Sequence, residues 1–567
     1  MIRLAHPGHL EDWRTRLRDE APAFRRTIVI TAGVCGRAAG AEGLIEALGL
    51  ETARRGLEKT IGIRVTGCHG FCEMEPSVLI EPEGFFYGRL RPEDAAEIVE
   101  RTAASGRAIS RLVYRDPVSG RACPRTQDIP FYRKQKKILT EAHFHLNPES
   151  LEDYVARGGY SSLSKALFEM TSESVLAEIK MSGLRGRGGA GFPTGLKWEF
   201  GRRAEGRTKY VVCNADEGDP GAFMDRSLLH GNPHAVLEGM IIGAYAIGAA
   251  EGFAFVCSEF PLASARLGLA IEQARERGLL GPSVLGSEFG FDVRVIPGGG
   301  AYVNGEETSL IAAIEGRKAF PRQRPPYPSV SGIGGHSTTI NNVETWANVP
   351  LIIEKGADWY AGFGTSKSKG TKIFSLVGRV RNSGLVEVPM GVTLREIVED
   401  IGGGALPGRT IKAVQTGGPA GGFLPASMLN LPVDYETLVQ AGSMIGSGGM
   451  IVLDDQTCVV DFVRYYLGFL RKESCGKCAP CRIGTRRMHE LLGRMVEGTA
   501  EAKDLEELES LARTVKSASL CGLGQGAPNP VLSTLTHFRT EYEAHIRDKK
   551  CPAGVCRGFG PVAEARS

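Results

Sequence analysis

Two kinds of chemistry stand out in the residue types and their spacing. Gly186, Gly188, Gly189, Gly191 and Gly195 fall within ten residues, with Arg185, Arg187 and Lys197 among or beside them. Glycine lacks a Cβ, so backbone N–H groups there can approach a phosphate closely, and the basic side chains add charge. The second chemistry is that of thiolates. Cys475, Cys478 and Cys481 form a C-x2-C-x2-C run, and Cys521 follows forty residues later. That spacing matches a [4Fe-4S] cluster, whose four thiolates come from helix and loop ends. Zinc sites rarely use three cysteines so tightly spaced.

Elements must position these groups. Gly186, Gly188 and Gly191 formally satisfy G-x-G-x-x-G, a fingerprint that follows a strand. Residues 174–183 instead read as an amphipathic helix closed by Gly183. The pattern therefore predicts a helix–glycine loop–helix cradle for a nucleotide, not an ordinary Rossmann turn. Residues 209–213 read as a strand delivering Asn214, Asp216, Glu217 and Asp219. These acids lack the residue set of a calcium loop, and at a strand's C-terminal end they suit ribose, ribityl or flavin-ring contacts. Helices at 234–250 and 262–278 alternate with strands at 252–257 and 291–296, which predicts a largely parallel sheet. A second glycine turn, 297–308, carries Tyr302, Gly305, Glu306 and Glu307; Arg324, Tyr327, Asn341, Asn342 and Thr345 follow.

Residues 1–110 read as a small α/β domain, with strands at 26–31, 61–65, 77–80 and 84–87 and a helix at 41–59. Its loops carry Cys35, Cys68 and Cys72. Pro117, Pro124 and Pro130 break 111–145 into a linker, whose basic run 133–137 is expected to be solvated. The nucleotide cradle occupies 146–369, and short strands around a helix at 394–401 fill 370–455. Helical pattern dominates 456–547, and a tail, 548–567, carries a cysteine pair. Cys213 and Cys257 end apolar strands and read as buried core thiols.

The 567 residues are 42% hydrophobic and 23% charged, enough for several domains with large cores. A net charge of +3 provides no electrostatic footprint for nucleic acid. There is no signal core, and the most apolar stretch, 240–250, is too short to span a bilayer. A cytoplasmic protein, at most peripheral to a membrane complex, is expected. In that setting clustered cysteines read as ligands rather than disulfides.

The ordered set Gly-Arg-Gly-Gly-Ala-Gly-Phe-Pro-Thr-Gly, Asn-Ala-Asp-Glu, Gly-Glu-Glu-Thr and Asn-Asn-Val-Glu-Thr closely resembles one family. It is the FMN- and NADH-binding flavoprotein subunit of NADH:quinone oxidoreductase, with relatives in NAD-linked hydrogenase and formate dehydrogenase diaphorases. The resemblance implies a multidomain α/β fold: a thioredoxin-like N-terminal domain, a Rossmann-like FMN/NADH domain, a β-grasp insert and a C-terminal helical bundle with the [4Fe-4S] cluster. It implies that Gly186, Arg187, Gly188, Gly189, Gly191 and Lys197 hold FMN, chiefly its phosphate, supported by Asn341, Asn342 and Thr345. Asn214, Asp216 and Glu217 would meet the ribityl chain or ring. Glu306 and Glu307 would sit near the flavin and the nicotinamide ribose, with Tyr302, Gly305 and Arg324 in the same site. Glu217 and Glu307 are the side chains expected beside the reacting rings; none acts as a general acid, because hydride passes directly from nicotinamide to flavin. Phe192, Phe200 and Tyr327 would stack on adenine or nicotinamide. Asp219 replaces a longer glutamate common in the family, and its charge near the adenosine ribose would favour NAD over NADP. Asn304 stands where the family often has cysteine.

Two further metal sets follow from the resemblance. The N-terminal domain is similar to thioredoxin-like [2Fe-2S] ferredoxins, but their first cysteine falls where this chain has Ile30 and Thr31. Cys35, Cys68 and Cys72 alone do not close a four-cysteine site. A docking domain without a cluster, a non-cysteine ligand, or ligation by Cys123 are the readings that remain. In the hydrogenase branch a zinc site resembles the set Cys458, His545, Cys551 and Cys556, against the alternative of scattered core cysteines. Members of that branch usually continue into a ferredoxin domain. This chain stops at Ser567, so the electron outlet is expected on another subunit. The implied partners are a small thioredoxin-like [2Fe-2S] subunit and a further iron–sulfur or terminal-reductase subunit. The implied function is hydride transfer between NAD(H) and FMN and single-electron transfer between FMN and the [4Fe-4S] cluster. An electron-bifurcating NAD(H)/ferredoxin diaphorase subunit and a non-catalytic electron-transfer scaffold are the alternatives.

Overall fold

β-Branched and aromatic runs pair into three main sheets in the computed structural model, which describes residues 3–559. The first sheet joins β1 (Arg26–Thr31), β2 (Ile61–Thr66), β3 (Val78–Glu81) and β4 (Phe85–Tyr87) in the order β2-β1-β3-β4. β1 and β2 are parallel, and the other pairs are antiparallel. Alternation sorts its two faces. Ile28, Ile30, Val78 and Ile80 pack with Leu44 and Leu48 of the helix Ala41–Arg54. Val29 and Leu79 point to the other side and join a core shared with the third sheet.

Packing divides the N-terminal 110 residues differently from the sequence reading. The helix Pro7–Asp19 does not lie on the first sheet. Leu10 and Trp13 join the core of the glycine-loop body, Arg14 donates to the carbonyls of Val155 and Gly159, and Leu4 N–H donates to Arg277 O. Amphipathic spacing can mark one face of a helix for burial, but it does not say against what.

The linker 111–145 packs into the fold. It forms a small pair, β5 (Tyr114–Arg115) with β6 (Ala122–Cys123), and buries Ile129, Phe131, Tyr132 and Phe144. Arg133, Lys134 and Lys136 are exposed, as expected of the basic run. Lys137 instead lies over the rings of Tyr132 and Phe144, 4.2 and 4.3 Å from their centroids. Burial lowers its ammonium to about 8.

The second sheet contains β7 (Lys209–Ala215), β8 (Glu251–Val256), β9 (Asp292–Pro297) and β10 (Ser337–Asn342), ordered β10-β7-β8-β9 and fully parallel. Helices Pro233–Ile247 and Pro261–Arg277 make the crossovers. Strand order reverses between β7 and β10, so a crevice opens outside their C-terminal ends, the usual ligand position in such sheets.

The third sheet contains β11 (Thr371–Gly378), β12 (Gly384–Pro389), β13 (Ile411–Thr416), β14 (Gly422–Pro425) and β15 (Gly449–Asp454), ordered β12-β11-β15-β13-β14. Only β11 and β15 pair in parallel here. The C-terminal part is helical, from Val459–Glu473 through Ala479–Val496 and Ala502–Ala518 to Arg539–Ile546. Among the described residues no helix is long and apolar enough to cross a membrane.

Candidate functional site

The glycine loop leaves the helix Ser172–Met181 at Gly183, whose φ is +67°, and runs into the helix Thr194–Arg203. Between them the chain folds back on itself, with Gly186 N–H donating to Phe192 O at 2.8 Å. Gly189 and Gly191 adopt φ of +126° and +61°, conformations that favour glycine. A Cβ on Gly188 would lie 3.1 Å from the Cβ of Asn342, so the loop backbone and β10 approach closely.

A cavity of about 1140 Å³ opens at the β7/β10 reversal. Gly186, Gly188, Gly189, Gly191, Phe192, Lys197 and Phe200 form one wall. Asn214, Asp216, Glu217 and Asp219 enter from the end of β7, and Tyr302, Gly305, Glu306 and Glu307 from the second glycine turn. Arg324, Tyr327, Asn341 and Asn342 close the ring. Register places Asn341 opposite Cys213 and Asn342 opposite Asn214, which puts both asparagines at the crevice.

Arg187 and Thr345 do not line this cavity, contrary to the expected phosphate role. The Arg187 side chain is fully buried and points away. Its guanidinium donates to the carbonyls of Arg185, Lys369 and Thr371 at 2.7, 2.6 and 3.0 Å and to Tyr360 Oη at 2.9 Å. Its backbone N–H donates to Thr345 Oγ1 at 2.9 Å. Four bonds from the rigid guanidinium fork go to the loop's own Arg185 carbonyl, to Tyr360 and to the carbonyls of Lys369 and Thr371 at β11, so Arg187 braces the loop instead of facing a ligand.

Electrostatics at the cavity are dominated by buried acids. Lys197 Nζ donates to Glu307 Oε1 at 2.6 Å and to Ile340 O at 3.0 Å. Glu217 accepts from the N–H groups of Asp225 and Arg226 at 3.0 and 3.2 Å, and burial pushes its carboxyl up to about 7. Burial likewise pushes Asp216 up to about 7. Asp219 accepts from Ser447 Oγ at 2.7 Å and is also raised by burial. Glu306 caps the helix Glu307–Ile314, accepting from Thr308 and Ser309 N–H. Phe192, Phe200 and Tyr327 expose apolar ring surface at the mouth.

Sequence reasoning missed several wall residues. Asp225 lines the cavity, and Asn342 Nδ2 donates to it. Its place in the same acidic loop as Glu217 was an available signal. Val303, Ala420, Ser447 and Leu523 also line it, and nothing local marks them.

FMN fits this site. The cavity exceeds the roughly 300–1,000 Å³ of ordinary ligand pockets, leaving room for a dinucleotide beside a flavin. Asp216 Oδ2 and Asp219 Oδ1 are buried without a protein partner, as acceptors awaiting ligand hydroxyls would be.

Cys475, Cys478, Cys481 and Cys521 converge on a small separate chamber with Val303, Pro321 and Leu523. Four thiols around one apolar-walled space are the donor set of an iron–sulfur cube. Val303 and Leu523 line both this chamber and the large cavity. Cys458, His545, Cys551 and Cys556 are all buried, with ligand atoms within 4.8 Å of one another. His545 Nδ1 lies 2.7 Å from Glu541 O, which turns Nε2 toward Cys458 and Cys556, each at 3.5 Å. Cys35, Cys68 and Cys72 gather at the edge of the first sheet, and the neighbouring Cys72 thiol lowers Cys35 to about 6. Cys123 sits apart on β6, bonded to Arg121 O, and does not complete that set. Cys213 and Cys257 are buried, as expected.

Residues 179–351 match the Nuo51 FMN-binding domain, and residues 461–545 match the NADH-ubiquinone oxidoreductase-F iron-sulfur binding region. The NADP-reducing hydrogenase subunit HndC of Solidesulfovibrio fructosivorans is 52% identical over 424 residues, covering 75% of this chain and 86% of that protein. The corresponding NADH-quinone oxidoreductase polypeptide of Escherichia coli is 40% identical over 416 residues, covering 73% and 94%. The chain belongs to the NADH-quinone oxidoreductase-F family. That family's members are FMN- and iron–sulfur-dependent oxidoreductases, and both matched regions fall on the two cavities described above. Among solved structures of similar fold is NAD+-reducing [NiFe]-hydrogenase in the H2-reduced state, at 30% identity and a TM-score of 0.66, covering 95% of this chain and 88% of that one.

Proposed function

We propose that this chain is the NADH-oxidising module of a larger redox complex, with FMN in the 1140 Å³ cavity and a [4Fe-4S] cluster on Cys475, Cys478, Cys481 and Cys521. The observation that carries this reading is the common wall: Val303 and Leu523 separate the two sites and touch both. Bound FMN supplies the conversion between two-electron hydride chemistry and one-electron transfer.

The chain's own residues bind and orient. Gly186, Gly188, Gly189 and Gly191 bring backbone to the phosphate, and Lys197, held by Glu307, supplies positive charge. Asn341 is oriented by Trp198 Nε1, which donates to its Oδ1 at 3.0 Å, and Asn342 by Asp225. Asn214 donates to Gly305 O at 2.9 Å and so ties β7 to the second glycine turn. Glu217 and Glu307 would stand beside the reacting rings of bound cofactors, and Asp216 would accept from the ribityl chain. Phe192, Phe200 and Tyr327 offer faces to adenine or nicotinamide.

The first sheet is read as a thioredoxin-like docking domain, the second as the Rossmann-like cofactor domain and the third as a β-grasp insert. Cys458, His545, Cys551 and Cys556 are read as one tetrahedral zinc site joining the first helix of the bundle to the tail. A small [2Fe-2S] subunit and a terminal reductase complete the electron path.

Anaerobically loaded Cys478→Ser tests the route. NADH should still bleach the flavin, while the cluster's EPR signal disappears. An intact cluster signal would refute the ligand assignment, and unbleached flavin at full occupancy would refute the order of transfer. Metal analysis should find one zinc per chain, absent from His545→Ala; zinc-free wild type would remove that site.

A further inference from the structure

The loop 474–478 carries Cys475 and Cys478 and joins the helices Val459–Glu473 and Ala479–Val496. Glu473 is the last residue of the first of these helices. A carboxylate there faces the negative end of the helix dipole, whereas Arg471 and Lys472 just before it carry the favoured sign. The disfavoured carboxylate has a partner on the other cavity's side. Glu473 Oε2 accepts from the backbone N–H of Tyr302 at 2.8 Å. Tyr302 lies in the second glycine turn and lines the large cavity, and Val303 next to it lines both cavities.

Two further contacts join the same segments. The rings of Phe469 and Tyr302 meet edge to face, with centroids 5.4 Å apart, and Lys477 Nζ donates to Pro321 O at 2.7 Å. Pro321 is a wall of the cysteine chamber, and Arg322 N–H beside it donates to Thr308 Oγ1 at 2.9 Å, in the helix after the turn. Within the cysteine loop, Gly476 N–H donates to Ser474 Oγ at 3.3 Å, and Ser474 Oγ lies 3.3 Å from Cys481 Sγ. The loop thus holds its own shape. Of its contacts with the flavin side, the Glu473 bond is the one made to the backbone of the turn itself. Glu473 lines neither cavity, so it acts through Tyr302.

We propose that Glu473 is a positioning residue for electron transfer, fixing the cysteine loop against the flavin-side turn and so setting the gap the electron crosses. This role rests on the assignment of flavin and cluster to the two cavities. The step balances simply: one electron leaves the NADH-reduced flavin and the cluster is reduced by one. Glu473 makes and breaks no covalent bond and moves no proton. Outer partners of this kind orient metal ligands without touching the metal.

The test compares full-length, anaerobically loaded wild type, Glu473→Gln and Glu473→Ala at equal iron and FMN content. After mixing with NADH, stopped-flow absorbance follows flavin bleaching and freeze-quench EPR follows cluster reduction. Flavin bleaching should be equal in all three. Cluster reduction should slow about tenfold or more in Glu473→Ala and keep the wild-type rate in Glu473→Gln, whose amide oxygen still accepts from Tyr302. Glu473→Asp keeps the charge and shortens the reach; it should slow the same step, and it replaces Glu473→Ala if that variant takes up no iron. Hydrogen exchange at Tyr302 and across 474–478 should quicken in the slow variants alone. Wild-type cluster reduction in Glu473→Ala would overturn the proposal, and equal slowing in Glu473→Gln would assign the effect to charge instead of position. A wild-type cluster that NADH never reduces would refute the flavin-to-cluster route itself, and unchanged Tyr302 exchange in Glu473→Ala would then overturn the tie as well.

Discussion

Arg187 carries its charge into the interior with Tyr360 and three backbone carbonyls as its hydrogen-bond partners. Arg187→Met leaves those acceptors unpaired and should cost about 3–5 kcal/mol of stability. Urea unfolding of the cofactor-free protein measures it, and a loss below about 1 kcal/mol would show that water replaces the guanidinium. Arg187→Lys should rescue little, because one ammonium cannot span the four acceptors. Asp219 poses a question of specificity. Its buried carboxyl accepts from Ser447 on one oxygen, and the other has no hydrogen-bond partner. Asp219→Asn removes the charge that would repel a 2′-phosphate, so kcat/KM for NADPH relative to NADH should rise about tenfold, worth about 1.4 kcal/mol. An unchanged ratio would place the discrimination elsewhere.

Among elements, the glycine loop separates two uses of glycine. Gly191 sits at φ +61° with the Tyr435 ring 2.6 Å from any added Cβ, so substitution there strains the fold itself. Gly188 has no such backbone, and its added Cβ would meet Asn342 at 3.1 Å. Gly188→Ala should therefore weaken FMN binding about tenfold or more, read by flavin fluorescence, with the unfolding midpoint of the cofactor-free protein within about 2 °C of wild type. A large fall in that midpoint with FMN affinity intact would reverse the assignment. The first sheet has its own pH dependence. Glu75 is pushed up to about 8, first by burial, with Thr31 opposing. Its folded value thus lies above the ordinary 4.5, so the folded state holds an extra proton between the two. The stability this contributes is complete below about 4.5 and is lost as pH rises through 8. The thermal midpoint should fall from pH 6 to pH 9 in wild type and fall less in Glu75→Gln. An equal slope in both would assign the titration to another group.

At the scale of the whole molecule, the connector 111–145 welds the bodies together. Glu387 on β12 accepts from Ile138, Leu139 and Thr140 N–H and from the hydroxyls of Thr140 and Thr371. Glu387→Ala should destabilise the chain by about 2–4 kcal/mol and open the connector to limited proteolysis. An unaltered digestion pattern would mean that the aromatic cluster of Phe131, Tyr132 and Phe144 holds the connector unaided.

Much of this molecule is local enough to be legible in one dimension. The limits of β1 are legible at both ends, because apolar runs and glycine or proline breaks report directly on backbone state. The helix–loop–helix around Gly186 is legible for the same reason, and so is the grouping of Cys475, Cys478, Cys481 and Cys521, which line one chamber. Other features exist only after the chain has folded. The direction of the Arg187 side chain depends on carbonyls about 180 residues away at β11. The host of the first helix depends on a core built from residues beyond 150. The meeting of Val303 and Leu523 between the two cavities joins segments more than two hundred residues apart. Residue type and spacing determine which groups can ligate, cradle or cap. Which of them face one another is decided by long-range packing, since a side chain's direction is set by the acceptors and apolar surfaces that reach it in three dimensions.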